Sequence, residues 1–178
     1  MGEAPSRAAR PPSPWHDHET VGTTENGAGA TRFNTVAEWV GYAGAVPLLL
    51  CLGGVGLLPE YAWRELAQRT AIAWGAVLLA FTAAVHWGLA LAGRLPWGAA
   101  RLGASPAAAL VGASGVVLGG QRGLAVLVVG HGGFWLYERR ALGSQLPPVY
   151  LSLRRQMTFA ICMLLALTMF VSDTAGLV

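Results

Sequence analysis

The sequence predicts an all-α fold: a compact bundle of about five transmembrane helices behind a disordered N-terminal tail. Three observations predict it. The 178 residues are 54% hydrophobic, with a mean hydropathy of +0.49. Only 12% are charged, half of the ~25% of an ordinary soluble domain. The apolar residues also fall into five runs, separated by short segments that hold Arg, Pro and Gly. This composition excludes a disordered chain, a disulfide scaffold and an ordinary nucleic-acid module. The 24 glycines follow no Gly-X-Y period, which excludes collagen.

Residues 1–35 read as a disordered cytoplasmic tail rich in Ala, Pro, Gly, Ser and Thr. The tail lacks the apolar h-region of a secretory signal, and its four acids do not fit a mitochondrial presequence. His16 and His18 flank Asp17, but two solvated histidines in a tail make a poor metal site. The first span is 36–58, long enough for ~30 Å of hydrocarbon, with Pro47 in its middle. Pro59 to Arg69 reads as an amphipathic turn in the interface.

The second span is 70–92. The third and fourth, 105–120 and 123–138, are separated by little more than Gly120-Gln-Arg122. At roughly 15 residues, or ~22 Å, each is short for a crossing. They read as tilted or locally thinned spans, because Gln121 and Arg122 need water. Pro147 and Pro148 preset φ for the fifth span, 149–172.

All the basic charge is arginine. Five spans put nine of the 12 arginines with the tail and the loops on its side, and leave Arg64, Arg69 and Arg122 opposite. The positive-inside rule then predicts a cytoplasmic N-terminus and an external C-terminus. The expected membrane is the bacterial inner membrane, or that of mitochondria in a eukaryote. One aromatic belt holds Trp39, Tyr42, Trp97, Trp135, Tyr137 and Tyr150, and the other Tyr61, Trp63 and Trp74. Cys51 and Cys162 fall at different depths, so a disulfide is not expected. Small residues recur at four-residue spacing in Gly41/Ala45, Ala80/Ala84/Gly88, Ala108/Gly112 and Gly115/Gly119. Such stripes let helices approach closely, within this bundle or against a larger complex.

An ionisable group within a span is a functional candidate, because burying it unpaired is costly. Four stand out: His86, His131, Glu138 and Arg154. The two histidines lie about seven residues before the ends of spans two and four, hence at one predicted depth, ~10 Å in. That placement would suit axial ligation of a b-type haem. The alternative is a neutral imidazole bonded to a carbonyl or to Thr82 or Thr158. Trp87, beside His86, reads as an interfacial anchor.

Arg154 shares a helix face with Tyr150 and Thr158 by four-residue spacing. Arg154 and Arg155 can snorkel to lipid phosphates. Alternatively, Arg154 pairs with Glu138 across the short loop and clamps the cytoplasmic end of the bundle. No Walker loop, His-Glu-x-x-His, Cys-x-x-Cys or nucleophile elbow is present. Gly130-His-Gly-Gly133 lies inside an apolar run and is no phosphate loop.

Three motifs in order are recognisable: Gly41-Tyr-Ala-Gly-Ala-Val-Pro47, His86-Trp-Gly88 and Tyr150-Leu-Ser-Leu-Arg154-Arg-Gln-Met-Thr158. Together they resemble the family of transmembrane protein 69, a mitochondrial inner-membrane protein, and its bacterial relatives, known as domain of unknown function 3429. The resemblance covers about Val36 to Leu167. Glu138 stands where family members commonly carry Asp. The resemblance implies a small multi-pass membrane protein with no established activity.

The resulting expectation is a non-enzymatic accessory or assembly subunit of an energy-transducing membrane complex. Its partners would be the lipid bilayer and that complex, with no nucleic acid. The alternative is a binder of quinone, haem b or lipid that uses His86, Trp87 and Arg154, with His131 as a further candidate. The sequence itself requires no cofactor and no metal.

Overall fold

The computed structural model describes residues 23–94, 98–143 and 148–176, and side chains from 39 onward apart from 99–101. The described residues fall in two units, Met1–Ala37 and Glu38–Val178. The first contributes helix from Thr23, so residues 23–35 of the predicted disordered tail are helical; the tail before Thr23, and Trp97, lie outside the described residues.

Five α-helices follow in order: α1 (Thr23–Leu57), α2 (Tyr61–Leu91), α3 (Ala99–Leu118), α4 (Gly120–Leu142) and α5 (Pro148–Thr174). No strand occurs among the described residues. Among the described residues, three stretches are long and apolar enough to cross a membrane: Trp39–Leu57, Tyr61–Leu91 and Pro148–Thr174.

Side-chain contacts fix the helix directions within the second unit. Ala67 meets Gly54, Ala76 meets Gly112 and Val111 meets Gly130, so each helix runs antiparallel to the next through α4. Tyr150 bonds Glu138 near one end of the α4–α5 pair, and Asp173 bonds Gln121 at the other. The bundle therefore alternates up and down.

Several predicted boundaries need correction. Helix α2 begins at Tyr61, so the interval read as an interfacial turn is its first two turns. Helices α3 and α4 have 20 and 23 residues, about 30 and 35 Å long, longer than the runs of roughly 15 residues that the sequence suggests. The break between them is narrower than the polar residues implied. Gly119 and Gly120 turn the chain with φ of 60° and 50°, a region closed to most side chains. Gln121 and Arg122 then already belong to the first turn of α4.

Pro106 lies inside α3 and does not open it. Its missing N–H frees the Leu102 carbonyl, and the indole of Trp87 on α2 donates to that oxygen at 3.2 Å. The neighbouring Ser105 hydroxyl donates to the Ala83 carbonyl. Both bonds tie α2 to α3 where the backbone ladder is interrupted. Trp74 is no belt residue: it lies 11 positions beyond Trp63, ~16 Å further along the helix. There it donates to the Gly44 carbonyl of α1 at 2.8 Å.

Burial runs opposite to that of a water-soluble bundle. Large apolar side chains such as Leu50, Phe81, Val117, Val129, Phe159 and Phe170 are exposed. His86, His131, Glu138, Arg154 and Thr168 are buried among Leu79, Leu127 and Leu165. An exterior of this kind matches hydrocarbon better than water. Both cysteines are free.

Small residues on α3 and α4 allow the closest helix approach. A methyl group added at Gly123 would collide with the Gly115 carbonyl oxygen, whereas one added at Gly132 meets nothing within 4 Å. Gly123→Ala should therefore lower the thermal unfolding midpoint in detergent, because overpacking of about 1–3 kcal/mol exceeds the ~1 kcal/mol gain in helix propensity. Gly132→Ala, with nothing to displace, should leave the midpoint unchanged or raise it.

Candidate functional site

Helices α2, α4 and α5 meet around one carboxylate near the end of the bundle where α2 and α4 finish and α5 begins. Glu138 lies in the last turns of α4 and is fully buried. Its Oε2 accepts a hydrogen bond from Arg154 Nε at 3.0 Å, and its Oε1 accepts one from the Tyr150 hydroxyl at 2.9 Å. His86 Nε2 lies 3.2 Å from the same Oε1; a carboxylate there selects the tautomer with the proton on Nε2. Arg154 continues the chain through Nη1, which donates to Thr158 at 3.2 Å.

The four-residue spacing of Tyr150, Arg154 and Thr158 puts all three on the inward face of α5. The predicted clamp between Glu138 and Arg154 is thus present, and His86 extends it to a third helix.

Phe134, one turn before Glu138, forms the apolar side of the cluster. Its ring centroid is 5.3 Å from that of His86, and the Arg154 guanidinium carbon lies 5.8 Å from the ring centre. Sequence reasoning did not single out Phe134, although its i, i+4 spacing to Glu138 carries the signal. Two buried nitrogens of the cluster, His86 Nδ1 and Arg154 Nη2, have no hydrogen-bond partner among the described residues. The cluster therefore retains one imidazole lone pair and one guanidinium N–H group that a small polar molecule could satisfy.

The other two candidates lie apart from it. Trp87 is 45% exposed and is spent on the Leu102 carbonyl, on another face of α2. His131 is fully buried, but its Nε2 donates to the Gly75 carbonyl at 3.0 Å. It precedes Glu138 by seven residues, ~10 Å along α4. The predicted equal depth of His86 and His131 is therefore incorrect, because α4 runs on to Leu142 and carries His131 deeper. With both Nε2 atoms engaged elsewhere, the pair does not form an axial haem site. No group of three or more His, Cys, Asp or Glu suited to a metal occurs among the described residues.

A helical bundle with an apolar exterior and an internal ion pair is the architecture of an integral membrane protein. Residues 33–170 match the family described as protein of unknown function (DUF3429), and the chain belongs to it. No curated protein and no solved structure matches the chain.

The ion pair makes an asymmetric prediction. Glu138→Gln leaves a permanently charged guanidinium buried without a counter-ion, at a cost of about 3–5 kcal/mol. Arg154→Gln leaves a carboxylate that still accepts hydrogen bonds from Tyr150 and His86. Denaturation in mixed micelles should therefore find Glu138→Gln the more damaging variant. Equal losses for both variants would rule this account out.

Proposed function

We propose that this chain is a multi-pass protein in which all five helices cross an energy-transducing inner membrane, serving there as a non-enzymatic accessory or assembly subunit. The observation that carries the reading is the use made of Glu138 and Arg154. The ion pair sits inside the helix packing, where it joins α4 to α5, and His86 brings in α2. Such a clamp supports a rigid bundle whose apolar outer surface is available to lipid and to neighbouring subunits. The resemblance of its motifs to the transmembrane protein 69 family favours the mitochondrial inner membrane or its bacterial counterpart.

The arginine distribution supports an orientation with the N-terminus in the cytoplasm. Arg94 and Glu60 are exposed beyond opposite ends of α2. With cysteine placed at each in turn, a membrane-impermeant maleimide applied to intact cells should label the Glu60→Cys chain and spare the Arg94→Cys chain. The reverse pattern would invert the topology.

The accessory role is tested by purifying the tagged chain in mild detergent and identifying everything that co-elutes. Stoichiometric recovery of subunits from one larger membrane complex is the expected result; a monodisperse chain recovered alone would refute it.

A second reading, binding of quinone or lipid beside His86, is favoured by the unpartnered His86 Nδ1 and Arg154 Nη2. An apolar groove of about 620 Å³ between α3 and α4 is lined at one end by Phe134 and Tyr137, and the Phe134 ring also faces His86 and Arg154. This reading expects a co-purifying small molecule that is lost in a His86→Ala chain of unchanged stability.

A further inference from the structure

The clamp uses one face of the α4–α5 pair, and the neighbouring face carries a second arrangement. Trp135 and Arg139 lie one turn apart on α4, while Pro148, Leu151, Ser152 and Arg155 line one stripe of α5. Together they enclose a cavity of about 260 Å³ at the arginine-rich end of the bundle.

We propose that this cavity binds the phosphate headgroup of an anionic phospholipid. Its charge is entirely positive: two arginines line it and no acidic residue does. Both side chains are exposed, and neither Arg139 nor Arg155 has an ion pair among the described residues. Each follows a member of the clamp in sequence, so the carboxylate that could have neutralised them, Glu138, is already held by Arg154.

At the opposite end of the bundle, Arg69 is neutralised by Glu65 on its own helix at 2.5 Å. Arg139 is also held in position, its guanidinium carbon lying 5.7 Å from the Trp135 ring centre. Two guanidinium forks match the paired oxygens of a phosphate diester, and the Ser152 hydroxyl adds a neutral donor. Leu151, Pro148 and the indole supply apolar wall for the glycerol and the first acyl carbons. Tryptophan favours the headgroup level of a bilayer, and basic pockets between helices are suited to anionic headgroups.

The test is native mass spectrometry of the purified full chain, released from detergent after titration with phosphatidylglycerol, phosphatidylethanolamine or inorganic phosphate. One phosphatidylglycerol should bind per chain in preference to phosphatidylethanolamine. In Arg139→Gln/Arg155→Gln that affinity should fall roughly thirtyfold, about fivefold for each arginine, while Arg122→Gln, at the other end, should bind as the parent does. Equal binding of the two lipids, or an unchanged affinity in the double variant, would overturn the proposal. Binding of inorganic phosphate with the same arginine dependence, but no preference between the lipids, would also overturn it and assign the cavity to a soluble phosphate. If the double variant does not purify, the lipid preference of the parent chain decides the question alone.

Discussion

The arrangement of this bundle depends on one buried carboxylate. Glu138 has no access to water and must be neutralised by its surroundings. The groups that neutralise it come from different helices, so the position of the carboxylate constrains all of them together. Arg154 sets the register of α5 against α4, Tyr150 fixes the rotation of α5 by a second bond on the same face, and His86 sets the height of α2. Apolar contacts alone would tolerate small slides of one helix along another, whereas a charge bonded from three directions does not.

Away from this cluster, close approach is achieved by the absence of side chains. Gly115 and Gly123 bring α3 and α4 into backbone contact, and Gly75 admits Leu127 and Leu165 against α2. Where Pro106 interrupts α3, the indole of Trp87 bonds the carbonyl that it frees, and the indole of Trp74 bonds the Gly44 carbonyl of α1. These tryptophans therefore act as hydrogen-bond donors between helices as well as apolar bulk. The exterior is left to Leu, Val and Phe, so the surface and the interior divide their chemistry in the reverse of the aqueous pattern.

Much of this was legible in the sequence, and the parts that were not share a cause. The number and order of the helices follow from the apolar runs, and the link from Glu138 to Arg154 follows from a short loop and a four-residue stripe. Helix ends were harder, because Gly120, Gln121 and Arg122 have the composition of a loop while only the two glycines turn the chain. The same feature concealed the true depth of His131, which was counted from Glu138 although the helix ends at Leu142. The join between His86 and Glu138 spans 52 positions of sequence and rests on tertiary packing that no local periodicity reports. Trp74 misled for a related reason: an aromatic residue in an apolar run has the same appearance at the headgroups and in mid-bundle.

The order of the three clamp helices along the chain also has a consequence in time. A chain made from its N-terminus delivers α2 first, then α4, then α5. The carboxylate of Glu138 thus emerges before its guanidinium partner, but after the imidazole of His86. The Nε2–H of that imidazole can donate to the carboxylate at a stage when the guanidinium is not yet present. The two-residue turn at Gly119 and Gly120 delivers α3 and α4 almost as one hairpin, so Glu138 need not enter on an isolated helix. In this order of arrival His86 is the first of the clamp donors available to Glu138, and Arg154 comes with the last helix.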